Sequence, residues 1–253
     1  EHGTFRRMRR VYVVNEKATE DYRRRWPDVA DRISFLPNWY DHSIFRRLAP
    51  PVRDRLRRDL RDELGVPAGD RVLLFAGRLE GQKAPLLLVD AFVLLASAVT
   101  DVVLVICGDG SMRPAVAERA RAAGEERRVR IVGTLGRERL AEVMSASDAL
   151  VISSEFETGP TVGYEALATG LPVVTTPVGQ ISRIVRSSGA GTVSEDHTAR
   201  ALAAAMEEAL RLPATVRDLA SAASTPYAAA TVLGEVYGYE RALAAGLRGG
   251  VDP

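Results

Sequence analysis

From Arg71 onward one pattern recurs: a short apolar, β-branched run, a glycine-containing turn, then a stretch of helical period. The runs fall at 72–76, 102–107, 129–132, 149–153 and 172–175, with helix candidates near 85–97, 111–123, 137–146 and 161–169. Strands that are apolar along their whole length and alternate with helices belong to a parallel sheet covered on both faces. The spacing therefore predicts an α/β fold with a doubly wound, Rossmann-like parallel sheet. Sheets of this kind take ligands at the carboxyl ends of their strands, so function is to be sought in the loops that follow the runs.

The flanks read differently. Two short strands (11–14 and 33–36) enclose a helix (18–26), too little for an independent α/β domain, so this segment is expected to be the incomplete tail of a preceding one. A strongly charged helix (51–65) leads into the sheet, and helical, alanine-rich sequence follows residue 194, at about 197–212 and 226–246.

A chain of 253 residues with 46% hydrophobic content can bury one good core. It contains no run of about 18 uninterrupted apolar residues and no apolar leader after its charged first ten residues. The single cysteine, Cys107, sits inside the second apolar run and reads as a small buried hydrophobe. A reducing, cytoplasmic setting is expected, with peripheral placement at a membrane left open. The net charge of +1 conceals an asymmetry: residues 1–65 hold 16 Arg/Lys against 11 Asp/Glu, the remainder 18 against 22. A basic patch for a phosphorylated substrate or anionic lipid is one reading. Interleaved acids favour solvated helix faces instead, and no nucleic-acid partner is expected.

Four loops carry candidate chemistry. The first contains Gly77, Arg78 and Lys83; arginine offers planar, bidentate contacts to phosphate oxygens and lysine a mobile point charge, a pair suited to a diphosphate. The order of residues is neither a P-loop nor a dinucleotide fingerprint. The second loop holds Gly108-Asp109-Gly110, weak by itself, and the third Gly133-Thr134-Leu135-Gly136. The fourth, Ser153 to Ala166 with Glu157 and Glu165, places Pro160 where a helix begins, which leaves the amides of Thr161 and Val162 free to meet an anion. A glycosidase-like pairing of Glu157 with Glu165 is disfavoured, because eight helical residues span about 12 Å and such pairs stand about 5–9.5 Å apart.

Gly77-Arg78-x4-Lys83, Gly108-x-Gly110 and Glu157-x7-Glu165 followed by Ala-Leu-Ala-Thr-Gly-Leu-Pro-Val-Val resemble the C-terminal domain of family-four retaining glycosyltransferases of the GT-B fold. Leu36-Pro37-Asn38 with Phe45 resembles the interdomain junction. The resemblance implies a remnant of the N-terminal acceptor domain and junction over 1–47, a nucleotide-sugar-binding domain over 48–222, and a helix over 223–253 that crosses back. It implies that Arg78 and Lys83 hold the donor diphosphate and stabilise leaving-group charge, and that Glu157 contacts hydroxyls of the transferred sugar. Glu165 would accept from the ribose, Thr161 and Val162 would cap the distal phosphate, and Thr134 and Leu135 would touch the base. Gly77, Gly108, Gly159 and Pro160 would line the donor. The donor is expected to be a UDP-, GDP-, ADP- or dTDP-linked sugar, with no metal and no other cofactor; the acceptor is not indicated.

Three departures stand out. Pro160 replaces a frequent glycine, Trp39 follows Asn38 where glycine is usual, and Gln180 and Arg183 occupy a stretch usually Gly-Gly-x-x-Glu. The absent acceptor half implies that these residues bind nucleotide but transfer sugar poorly alone. The last helix (Tyr227, Val232, Leu233, Val236, Tyr237, Tyr239), left exposed, would favour self-association. The rivals are a non-catalytic nucleotide-sugar-binding module and a GT-B-like epimerase or phosphorylase. A phosphorylase needs a cofactor lysine, and only Lys17 and Lys83 are present.

Overall fold

The computed structural model of the chain describes residues 1–157, 159–234 and 236–238. They form two compact units, Glu1–His42 together with the segment from Thr225, and Ser43–Ser224. No helix among the described residues is long and apolar enough to cross a membrane.

In the smaller unit, α1 (His2–Phe5) precedes β1 (Val11–Val13), α2 (Glu16–Arg25) and β2 (Ile33–Phe35). The strands pair in parallel, Val11 opposite Ile33. Asn15 starts α2 by accepting from the Ala18 amide at 2.9 Å. Trp26, Val29 and Ile33 form its buried cluster, with Tyr22 stacked on Trp26 at 5.1 Å between ring centroids. Tyr40 makes a parallel bridge to Ala228. In the helical segment that follows, Val232 is 2% exposed and Tyr237 60%, so the apolar residues expected to lie open there are divided. Tyr239 and the rest of that expected helix lie outside the described residues.

The larger unit begins with α3 (Pro50–Leu64), which Gly65 ends in the left-handed conformation. There follow β3 (Arg71–Ala76), α4 (Pro85–Ala96), β4 (Val102–Cys107), α5 (Arg113–Ala122), β5 (Val129–Gly133), α6 (Arg137–Ala146), β6 (Ala149–Ile152), α7 (Thr161–Ala168), β7 (Val173–Thr175), α8 (Gly179–Ser188), β8 (Gly191–Val193), α9 (Ala199–Ala209) and α10 (Val216–Ser224). The six strands pair in parallel throughout, in the order β5-β4-β3-β6-β7-β8. β4 and β6 are buried along their whole length. The core runs from these strands into α4 and α9, where Leu88, Phe92, Leu202 and Met206 have no exposure.

The doubly wound sheet expected from the apolar runs is the sheet observed, with one strand and two helices more. β8 is three residues long and starts at glycine, too short to show a period. α8 buries only Ile181, Ser182 and Val185, and α10 buries two small residues besides Val216. The helix expected from 197 starts two residues later, because the Thr198 side chain caps it through the Ala201 amide.

At the amino edge of the sheet, arginines occupy positions where helices end. Arg57 donates to Ala146 O at 3.0 Å and to Asp148 at 2.9 Å, and Arg217 donates to Gly170 O at 3.3 Å. The Arg57 guanidinium satisfies a carbonyl that the end of α6 leaves without an intrahelical donor, and Arg217 binds a carbonyl of the turn that follows α7. One of the α3 arginines, Arg57, is thereby structural.

Candidate functional site

Chain order reverses between β3 and β6, since β4 and β5 extend the sheet one way and β7 and β8 the other. At such a switch point the loops leaving two neighbouring strands part and open a crevice at their carboxyl ends. The loops after β3, β4 and β5 stay close together. Gly77 N donates to Cys107 O at 3.0 Å and Gly108 N to Gly133 O at 2.8 Å, so the ladder continues one residue past the strands. A Cβ on Gly108 would lie 1.9 Å from Gly77 O, with φ at +156°. Only glycine fits there.

These loops and the start of α7 enclose a cleft of about 310 Å³, lined by Ala76, Gly77, Arg78, Cys107, Gly108, Asp109, Thr134, Leu135, Leu140, Val162 and Glu165. Seven of the twelve residues singled out in the sequence therefore share one cavity. The other five, Lys83, Glu157, Gly159, Pro160 and Thr161, lie outside its lining. Arg78 is exposed and enters no ion pair among the described residues. Burial pushes the Cys107 thiol up to about 12, so it stands in the cleft wall as an unreactive thiol.

Lys83 and Glu157 are paired with each other. Lys83 Nζ meets Glu157 Oε1, which also accepts from Ser154 Oγ at 2.7 Å, and the glutamate is 7% exposed. Their loops are joined elsewhere too. Ser153 Oγ donates to Lys83 O at 2.7 Å, Glu155 N to Gln82 O at 3.0 Å, and Gln82 Nε2 to Phe156 O at 3.1 Å. Ala84, the next residue, takes φ +43°, a left-handed conformation that costs a non-glycine residue about 1 kcal/mol. From the other side, α8 packs onto the Glu157 backbone: a Cβ on Gly179 would lie 2.7 Å from Glu157 O, at φ +61°.

α7 begins at Thr161 behind Pro160, with no side-chain cap. Its third amide, Gly163 N, reaches Pro160 O at 2.9 Å, while those of Thr161 and Val162 have no acceptor among the described residues. One turn on, burial raises the Glu165 carboxyl above the ordinary glutamate range, with the Arg137 charge opposing the shift. A raised acid pKa means that the folded state disfavours the carboxylate. The penalty is absent where both states are protonated, grows as pH rises from the ordinary glutamate pKa to the raised one, and is constant above it. Glu165→Gln is therefore expected to raise the melting temperature at pH 7, with the gain vanishing near pH 4. A lowered melting temperature at pH 7 would contradict this balance.

The sequence reading missed several residues that shape the site. Leu140 reaches the cleft from the first turn of α6, where an apolar residue looks like ordinary core. Ser153 and Ser154 open the fourth loop, where their position after a buried strand assigns them no role. Glu80 accepts from Ser111 N at 2.9 Å and Ser111 Oγ at 2.7 Å, bonds that hold its carboxyl below the ordinary range and tie the first loop to the second. His197 bonds across the sheet's end and has no sequence neighbour that marks it. Gln180 accepts from Tyr164 OH at 2.9 Å. No group of three or more metal-ligating side chains occurs among the described residues.

Residues 57–225 match the family model described as glycosyl transferases group 1. The chain belongs to this family. Among its curated relatives, a D-inositol 3-phosphate glycosyltransferase of Jonesia denitrificans is 37% identical over 169 residues, which cover 64% of this chain and 40% of that protein. One from Arthrobacter sp. strain FB24 is 34% identical over 198 residues, covering 77% and 45%. The chain thus spans less than half the length of these two relatives. Among solved structures, a sucrose-phosphate synthase from Thermosynechococcus elongatus superposes with a TM-score of 0.72 at 25% identity, over 93% of this chain and 58% of that one. Anabaena HepE in complex with UDP gives 0.81 at 21% identity, over 94% and 65%, and shares the fold. The group 1 match begins within α3 and ends just past α10, so it takes in the whole sheet and every loop described above.

Proposed function

We propose that this chain binds the donor of a retaining glycosyltransferase, a nucleotide-diphosphate sugar, in the cleft at the carboxyl ends of β3, β4 and β5. The observation that carries the reading is the cleft itself. It brings an exposed arginine, two glycine backbones and a half-buried glutamate to the switch point of the sheet, beside a helix N-terminus with free amides. HepE, which has the same fold, is seen with UDP and with UDP-glucose, and this supports a nucleotide sugar as the ligand.

In this reading Thr134 and Leu135 meet the base, and the Glu165 carboxylate accepts from the ribose hydroxyls. Arg78 and the two ammonium protons of Lys83 not given to Glu157 face the diphosphate, and the amides of Thr161 and Val162 cap its distal phosphate. Gly159 and Pro160 line the sugar, whose hydroxyls Glu157 contacts. In transfer, the acceptor oxygen bonds to the anomeric carbon on the face from which the diphosphate departs, and a leaving phosphate oxygen takes the acceptor's proton. The cations stabilise the charge that develops on that phosphate. No metal is assigned to the step.

Calorimetric titration with UDP, GDP, ADP and dTDP is expected to give one preferred ligand. Because the carboxylate is the accepting form, its affinity should fall as pH drops through the raised Glu165 pKa. Glu165→Gln should weaken it about 10-fold or more, the loss of hydrogen bonds to a charged acceptor. If none of the four binds at millimolar concentration, the reading is wrong.

A further inference from the structure

We propose that His197 is a positioning residue for the phosphate and sugar end of the donor site, an inference that rests on the functional reading above. His197 lies in the loop between β8 and α9, and that loop is internally fixed. Asp196 Oδ1 accepts from Thr198 N at 3.0 Å and Thr198 Oγ1 at 2.6 Å, and Ser194 Oγ donates to Asp196 O at 2.7 Å. From this base the imidazole reaches across to the end of β6, where Nε2 stands 3.1 Å from Ser153 O and 3.1 Å from Ser154 O. Both acceptors are carbonyl oxygens, so Nε2 carries the proton and donates to the pair.

The two peptide units it grips are those whose side chains hold Lys83 and Glu157. Ser153 Oγ donates to the Lys83 carbonyl at 2.7 Å, and Ser154 Oγ to the Glu157 carboxylate at 2.7 Å. Thr176 Oγ1 adds a second donor to Ser154 O at 2.7 Å. A continuous path therefore runs from the β8 loop through two backbone carbonyls and two hydroxyls to the paired cation and carboxylate. None of these bonds touches Thr134, Leu135 or Glu165, which belong to β5's loop and to α7. His197 should thus govern one end of the donor site and leave the nucleoside end alone.

The test compares nucleoside diphosphates with their monophosphates. Wild type, His197→Ala and His197→Gln are titrated with UDP, GDP, ADP and dTDP and with the matching monophosphates, and their melting temperatures are recorded. Losing two hydrogen bonds in series with the ligand contacts should weaken diphosphate binding by His197→Ala about tenfold or more. Monophosphate affinity should stay within about twofold, and the glutamine amide, which can donate to the same carbonyls, should restore most of the loss. Equal weakening of both ligand classes would reduce His197 to a stability residue and overturn the proposal, as would unchanged diphosphate binding. Absence of any diphosphate binding by wild type is a different failure: it removes the functional reading, and this inference with it.

Discussion

Gly108→Ala is expected to cost about 3–5 kcal/mol, a large share of the 5–15 kcal/mol that holds a typical domain together. The added methyl would lie 1.9 Å from Gly77 O and 2.9 Å from Gly77 C. Those atoms are backbone, tied by the Gly77–Cys107 and Gly108–Gly133 hydrogen bonds, so they cannot yield without breaking the close of the β3–β4–β5 ladder. Gly77→Ala is the contrasting case. Its methyl would meet only the Phe75 ring, at 3.6 and 3.8 Å, and Lys83 Cε at 4.0 Å, all ordinary contacts. The melting temperature should barely move. The methyl does project beside a cleft that Gly77 lines, so diphosphate binding should fall about tenfold or more, the cost of forcing ligand and backbone apart. Thermal melting and calorimetry on the two variants separate a glycine required by the fold from one required by the ligand. Wild-type affinity in Gly77→Ala would show that no diphosphate runs along this backbone.

Arg78 and Lys83, joint candidates in the sequence, should behave differently. Arg78 is exposed and outside any ion pair among the described residues. Arg78→Ala should change stability by less than about 0.5 kcal/mol and weaken diphosphate binding about 10- to 100-fold, the loss of a charge-assisted, bidentate contact. Lys83→Ala also strips the cation from Glu157, whose side chain is 6% exposed. Breaking such a pair leaves a charge in low dielectric and should cost about 2–4 kcal/mol, somewhat less than a fully buried pair because Lys83 keeps some solvent. Adding Glu157→Gln should return most of that stability and none of the binding. Equal stability losses for Arg78→Ala and Lys83→Ala would contradict the pairing seen here.

The sheet was legible because burial on both faces forces apolar runs. β3, β4, β6 and β7 carry that signature; β5 is an edge strand that holds Arg130 and buries only Val129, and β8, three residues starting at Gly191, has too few side chains to show it. The cleft was legible as a list of loops but not as a volume. Gly77, Arg78, Gly108, Thr134 and Leu135 sit immediately after predicted strands, and the fold rule places such residues together. The division of labour among them was hidden. The sequence put Lys83 with Arg78 for reasons of charge, while the structure joins Lys83 to Glu157 through a loop contact across 74 positions. Gly108 looked like a weak motif residue, and its necessity appears only when Gly77 O is found against it. His197, Ser153 and Ser154 act through carbonyls and hydroxyls that any turn can supply, so no spacing announces them. The arginines of α3 show the reverse case. Their charge reads as solvated helix faces or a surface patch, whereas Arg57 bonds the Ala146 carbonyl at the end of α6.

The decisive property of this chain is where it binds a nucleoside diphosphate. The most direct measurement is the amide chemical-shift footprint of the preferred diphosphate on the isotopically labelled chain. Saturable shifts are expected at Gly77, Arg78, Gly108, Thr134, Leu135, Thr161 and Val162, converging on the cleft at the carboxyl ends of β3 to β5 and the start of α7. A footprint at the amino edge of the sheet, around Arg57 and Arg217, or saturable binding that leaves those seven amides unmoved, would contradict this placement.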